Sequence, residues 1–277
     1  MQPDRQMAPS LPASPRHAVD VAVTGHGGTI GERTDPARIP RRGAPRGPRM
    51  TSQTREGSMG QPESARDHVI RTYRARARRY DITANLYYLL GYRQWAYRRR
   101  AVQALRLRPG GTVVEIGCGT GLNFSLIEQV IGPEGRIVGV GLTDAMLARA
   151  ERRVKARGWR NVSLVQADAV GFRFPVGVDA ILCTFVLSHV PECAEVIAQG
   201  CTALAPGGRY VVLGLKVPQH WLAPAVVPIV RPFGVTEEVM ARRPWDVIRA
   251  AMQARLTDPS WTELFFGFAF LAAGRVS

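Results

Sequence analysis

Apolar and polar positions through the middle of the chain follow two alternating patterns. Short runs rich in β-branched residues are followed by longer stretches whose apolar residues recur three and four apart. The short runs are Val113-Val114-Glu115-Ile116, Arg136 to Val140, Val162 to Gln166, Asp179 to Cys183 and Arg209 to Leu215. Leu122, Phe124, Leu126, Ile127 and Val130 open a helical stretch after the first run. Met146, Leu147, Ala150 and Val154 mark one face of a helix from Ala145 to Arg157, and another helix, from about Cys193 to Leu204, is stopped by Pro206-Gly207-Gly208. Strands separated by helices of this length imply parallel pairing through right-handed crossovers, with any ligand at the carboxyl ends of the strands. Further on, Pro244 to Ala254 predicts a helix and Leu264 to Leu271 a last strand.

The first strand runs directly into Gly117-Cys118-Gly119-Thr120-Gly121. A buried strand followed by residues without Cβ lets backbone N–H groups approach a ligand at the start of the next helix. A glycine triplet alone is weak support, since such turns are often only turns. Its spacing is G-x-G-x-G rather than the G-x-G-x-x-G of dinucleotide-binding dehydrogenases, and no acidic residue ends the second strand.

Residues 1–62 lack any apolar periodicity and are dominated by Pro, Gly, Arg and small polar residues, which predicts a disordered tail. No apolar core of a secretory signal follows its early charges, and Met50 and Met59 mark candidate start positions at its end. Residues 63–277 suffice for one domain with a full core.

The formal charge of +15 rests almost wholly on arginine, Lys155 and Lys216 being the only lysines. Twelve arginines lie between Arg66 and Arg108, interleaved with Tyr73, Tyr80, Tyr87, Tyr88, Tyr92, Trp95 and Tyr97. Residues 63–108 thus read as a helical, aromatic and cationic collar ahead of the strands. Such an element suits an anionic membrane surface or a phosphate-bearing headgroup, and equally a solvated face. Cys118, Cys183, Cys193 and Cys201 form no C-x-x-C pair, so neither a disulfide framework nor a metal site is expected, and the reducing cytoplasm is the expected compartment. No stretch reaches the roughly 18 apolar residues of a spanning helix, and Leu222 to Val230 is broken by Pro224 and Pro228. No aromatic–basic motif of an RNA-binding module is present, and no nucleic-acid partner is expected.

In order and spacing, Glu115-Ile116-Gly117-Cys118-Gly119-Thr120-Gly121, Thr143-Asp144-Ala145-Met146-Leu147, Ala167-Asp168-Ala169, Phe172-Arg173-Phe174-Pro175 and Leu204-Ala205-Pro206-Gly207-Gly208-Arg209 resemble the class I S-adenosylmethionine-dependent methyltransferases. Tyr80-Asp81, the aromatic stretch through Trp95 and Arg98-Arg99-Arg100 make the chain most similar to the ubiquinone/menaquinone-type and phospholipid N-methyltransferase-like branch. The resemblance covers about residues 66–275. It implies an α/β, three-layer Rossmann-like fold, its sheet seven-stranded, mostly parallel and ending in an antiparallel hairpin. It also implies S-adenosyl-L-methionine as cofactor and a small-molecule or lipid-like methyl acceptor.

Carried over position by position, the resemblance implies that Gly117, Gly119 and Gly121 close on the methionine part of the cofactor. Glu115 would orient its amino group, directly or through water. Leu142 and Met146 would lie against the nucleoside, Asp168 would accept the adenine amino group with Ala169 N–H nearby, and Thr184 would line the mouth of methyl transfer. Each has a plainer role available: Glu115 as a loop anchor, Asp168 as a cap, Met146 as core. The chain departs from the family at Gly141, where relatives carry an acidic residue for the ribose hydroxyls. Asp144 would either reach the ribose in its place or only cap the helix. His189, with Tyr80 facing it, is the candidate base should the acceptor have a proton to lose, and a structural His is the commoner case. Three readings stand: a methyltransferase for a small molecule or lipid, a methyltransferase-fold binding protein without turnover, and an RNA or protein methyltransferase.

Overall fold

The computed structural model describes residues 93–218 and 237–277. The amino-terminal tail, most of the collar with Tyr80, and the stretch from Leu222 to Val230 lie outside the described residues. In chain order the described elements are α1 (Gln94–Ala104), β1 (Thr112–Ile116), α2 (Phe124–Ile131), β2 (Arg136–Gly141), α3 (Asp144–Arg157), β3 (Val162–Gln166) and β4 (Val178–Thr184). A 3-10 turn (Leu187–His189), α4 (Cys193–Ala203), β5 (Leu204–Leu215), α5 (Glu237–Arg242), α6 (Pro244–Arg255), β6 (Thr257–Leu264) and β7 (Ala269–Arg275) follow.

All seven strands form one sheet in the order β3-β2-β1-β4-β5-β7-β6. The first five are parallel, and β7 runs antiparallel between β5 and β6. The direction in which strands are added reverses between β1 and β4, and that is the crevice where open α/β sheets take their ligands.

Strand alternation sorts the core into two layers. Val114 and Ile116 of β1, with Ile181 and Cys183 of β4, face Val196, Ile197, Trp245, Ile248 and Met252 of α4 and α6. On the other face Val113, Ala180 and Leu182 meet Ala101 and Val102 of α1, Phe124, Ile127 and Ile131 of α2, and Leu147 and Ala150 of α3. A strand's side-chain period of two therefore sends Glu115 and Thr184 to this second face, the side of α1 and α2.

Two expectations need correction. The run from Leu264 to Leu271 is not one strand: β6 ends at Leu264, Phe265 to Gly267 form a turn, and β7 starts at Ala269. Phe265, Phe266 and Gly267 have φ of 47°, 53° and 83°, a left-handed path that no strand follows. The strand before that turn escaped notice because it is an edge strand with mostly exposed, polar residues (Thr257–Leu264). The second correction is Arg98, which belongs to the cationic stretch yet faces the core at 4% exposure.

Candidate cofactor and methyl-transfer site

A cavity of about 470 Å³ opens at the carboxyl ends of β1, β2, β3 and β4. Ile116, Gly117 and Gly119 line it from the end of β1, Val140, Gly141, Leu142 and Thr143 from the end of β2, and Met146 from α3. Ala167, Asp168, Ala169 and Val170 contribute from the loop after β3. Thr184, Phe185, Val186, His189, Val190, Pro191 and Glu192 close the remaining side.

The three glycines do three different things. A Cβ on Gly119 would meet nothing within 4 Å, so the backbone is bare toward the cavity at φ +55°. A Cβ on Gly117 would fall 2.5 Å from Cβ of Val186, so this glycine lets the loop pass close beneath the segment after β4. Gly121 is not part of the wall: a Cβ there would overlap the Phe124 ring at 2.6 Å, and the glycine lets the loop rest on that ring. Cys118 N–H donates to the Val140 carbonyl at 2.9 Å, and Arg153 of α3 donates to the Thr120 carbonyl, tying the loop to β2 and to α3.

Behind the glycine loop lies a buried polar network that the sequence reading did not assemble. Asn123 Nδ2 donates to Glu115 Oε1 at 2.6 Å and to Thr184 Oγ1 at 3.0 Å. Arg98 Nη1 donates to Asn123 Oδ1 and to Thr184 Oγ1, both at 3.0 Å. The guanidinium also lies 5.2 Å from the Phe185 ring centroid, close enough for a cation–π contact. One signal was available: Gln94, Arg98, Ala101 and Val102 repeat at helical spacing, which puts Arg98 on the buried stripe of α1.

Glu115 Oε2 is buried and has no hydrogen-bond partner among the described residues. Burial drives the Glu115 carboxyl from its ordinary value of 4.5 up to about 7, while Asn123, the charge of Arg98 and Thr184 pull it back down. A raised folded-state value favours the folded chain most at low pH. The contribution is fully present below about pH 4.5 and is lost as pH rises through about 7. The ligand-free chain should therefore lose roughly 3 kcal/mol of stability over that window. Urea unfolding of wild type and Glu115→Gln at several pH values checks this, and an equal slope in both would refute it.

The other expected site residues divide clearly. Asp168 is on the wall and accepts the Val170 N–H at 3.1 Å, so it holds its own turn while facing the cavity. Met146, Ala169 and Thr184 are buried and on the wall, and the half-buried Leu142 lies there too. His189 lines the opposite side, in the 3-10 turn after β4. Asp144 is exposed and is not on the wall, and its Oδ1 accepts the adjacent Ala145 N–H at 2.7 Å. Thr143, which precedes it, holds the N-cap position and does face the cavity. At Gly141 a Cβ would sit 3.0 Å from Leu147 Cδ2, so Leu147 must give by a few tenths of an ångström to admit a side chain there. Among the described residues no cluster of His, Cys, Asp and Glu could hold a metal ion, and no helix is long and apolar enough to cross a membrane.

The residues fit an S-adenosylmethionine-sized ligand: a cavity at the switch point, a bare backbone at Gly119, the Asp168 carboxylate on the wall after β3 and, behind the loop, a buried carboxyl oxygen without a hydrogen-bond partner among the described residues. With the antiparallel β7 inserted between β5 and β6, the chain has the fold of the class I S-adenosylmethionine-dependent methyltransferases. Residues 113–208 match the family model described as "Methyltransferase domain". The chain is similar to demethylmenaquinone methyltransferase of Shouchella clausii, 25% identical over 161 residues, which are 58% of this chain and 67% of that protein. It is also similar to the ubiquinone/menaquinone biosynthesis C-methyltransferase UbiE of Shewanella halifaxensis, 30% identical over 160 residues, 57% of this chain and 63% of that one. Another demethylmenaquinone methyltransferase, from Geobacillus stearothermophilus, is matched over 54% of its length. The chain thus spans between about half and two thirds of the curated relatives it matches.

Among solved structures, a Haemonchus contortus phosphoethanolamine N-methyltransferase bound to S-adenosylhomocysteine superimposes with a TM-score of 0.55 at 19% identity, covering 74% of this chain and 47% of that one. An Aquifex aeolicus S-adenosylmethionine-dependent methyltransferase gives 0.51 at 15% identity, covering 65% and 89%. At these identities the likeness supports the fold.

Proposed function

We propose that this chain binds S-adenosyl-L-methionine in the β1/β4 crevice and catalyses methyl transfer to an apolar small molecule or a lipid-like acceptor. The observation that carries the reading is the two-ended cavity. At one end stand Gly119, Thr143, Met146 and Asp168, a set suited to a methionyl nucleoside. At the other, Phe185, Val186, Val190 and Pro191 form an apolar wall, and the polar groups there are Thr184, His189 and Glu192. Such a wall excludes water and holds an apolar ring or chain, while the few polar groups orient it. That two curated relatives carry the name of a quinone methyltransferase agrees with an acceptor of this kind.

S-adenosylmethionine brings a methyl group already activated on a sulfonium, so the protein's task is alignment and exclusion of water. Gly117 and Gly119 offer backbone to the methionine part, and Glu115 sits behind them to meet its amino group. Asp168 and Ala169 N–H address the adenine, and Met146 packs against the ring. Thr143 and the backbone at Leu142 stand in for the absent acidic residue of β2 on the ribose side. His189 would hold the proton of an acceptor that must lose one; Tyr80 lies outside the described residues. The arginine-rich stretch from Arg66 to Arg108 would also favour contact with an anionic membrane surface, with the chain otherwise in the cytoplasm.

Calorimetry with S-adenosylmethionine and S-adenosylhomocysteine, followed by transfer of radiolabelled methyl groups to lipid and polar extracts, tests this. Binding with label in the lipid extract is expected. Binding without any labelled product would favour the fold as a binding protein without turnover, the reading that Gly141 motivates. Asp168→Ala should weaken S-adenosylhomocysteine binding by roughly 1–3 kcal/mol, the cost of one hydrogen bond to a charged acceptor. Unchanged affinity would place the adenine elsewhere.

A further inference from the structure

The Arg98 guanidinium is the one feature of the network that the reading of the site so far leaves without a task. It comes from α1, upstream of every motif in the cavity wall, and crosses the second core layer to reach groups from two other elements. Asn123 belongs to the turn that follows the glycine loop, and Thr184 ends β4, so the guanidinium bridges both sides of the crevice where the ligand is held. It also stacks over Phe185, which lines the acceptor end at φ 60°, a left-handed conformation that strains a bulky residue. Such a conformation persists only where its surroundings impose it, and the Phe185 N–H is fixed by the Leu213 carbonyl at 2.7 Å.

Among the described residues, few charges surround Glu115. Arg98 faces it from α1, the Cys118 thiol from the glycine loop and the Cys183 thiol from β4, with Asn123 and Thr184 as uncharged partners. Burial holds the Cys118 thiol well above its usual range and pushes Cys183 up to about 12, so both thiols are neutral near pH 7. Among the described residues, Arg98 then provides a positive charge to a carboxylate that is 1% exposed. A buried charge is tolerated only when it is matched, and removing one partner strands the other.

We propose that Arg98 is a positioning residue of the cofactor site: it supplies the positive charge that balances the Glu115 carboxylate behind the glycine loop, and it aligns Thr184 and Phe185 at the acceptor end. This rests on the reading that S-adenosylmethionine occupies the crevice with its amino group toward Glu115. Through Arg98 the helix α1 is coupled to cofactor affinity although it contributes no residue to the wall.

The test is the pH dependence of S-adenosylhomocysteine binding, measured by calorimetry between about pH 5.5 and 8 in two buffers of different ionisation enthalpy. Wild type should bind more tightly as pH rises through the Glu115 transition and release a proton on binding below it. Arg98→Met should move the midpoint upward by about one pH unit or more, the usual effect of losing an opposite charge nearby. Arg98→Lys, which keeps the charge, should stay near wild type. Glu115→Gln should abolish the pH dependence and make the chain insensitive to Arg98→Met in this respect. A lowered melting temperature with an unmoved midpoint in Arg98→Met would overturn the proposal, leaving Arg98 a packing residue. If Arg98→Met does not fold, the double variant Arg98→Met/Glu115→Gln decides: recovery of folding supports charge balance, and failure to recover overturns it. Absence of wild-type binding at every pH would instead overturn the reading of the site on which this rests.

Discussion

Gly119→Val should leave a folded protein that no longer binds S-adenosylhomocysteine. The two glycines that flank position 119 in the triplet are spaced against protein atoms, Val186 for Gly117 and the Phe124 ring for Gly121, whereas a side chain at 119 would enter open cavity. The structural cost is therefore limited to a β-branched residue at φ +55°, about 1–2 kcal/mol. The binding cost is far larger, because the added methyl groups occupy the space where a ligand must meet bare backbone. A loss of at least about a hundredfold in affinity is expected by calorimetry, with a cooperative unfolding transition retained. Gly117→Ala makes the contrast, since it drives a Cβ to 2.5 Å from Val186 and should show itself first as lost stability. Binding by Gly119→Val at wild-type affinity would mean that the ligand lies elsewhere.

Phe124→Ala should be among the most destabilising single changes in the described core, by about 3–5 kcal/mol in denaturant unfolding. The side chain is fully buried, and its ring fills the space that glycine leaves at positions 121 and 139. It thus supports the glycine loop from below and the second strand from the side. Truncation opens a cavity under the loop, and the two glycines have no side chains with which to fill it. Binding of S-adenosylhomocysteine should weaken as well, because the loop loses the surface on which Gly121 rests. A change smaller than about 1 kcal/mol would mean that the loop collapses onto α2 and is not held by the ring.

Much of this architecture could be read from residue order, and the reason is local. The strand Arg136–Gly141 was read to within one residue because a central parallel strand covered by helices reads as an unbroken apolar or β-branched run. The helix Asp144–Arg157 announced itself by a one-sided apolar stripe and ended at Gly158, whose φ of 67° is the left-handed stop that its type predicts. Thr257–Leu264 was missed for the same reason in reverse. An edge strand with one paired side and mostly exposed side chains has no pattern to distinguish it from a loop.

The sequence by itself determined which residues can form a methyltransferase sheet, where the backbone must be bare, and that β2 ends without an acidic residue, since each of these depends on residue type and near neighbours. Only the tertiary structure decided what those residues face. Register with α1 and β4 places Glu115 behind the loop with one oxygen unpartnered among the described residues, and it keeps Gly121 and Asp144 off the cavity wall. Helical phase brings Arg98 inward, where a count of charges had put a solvated surface, 86 residues in sequence from the Thr184 hydroxyl it meets. Contacts across such separations are fixed by how strands stack and helices pack, and no local propensity carries that information.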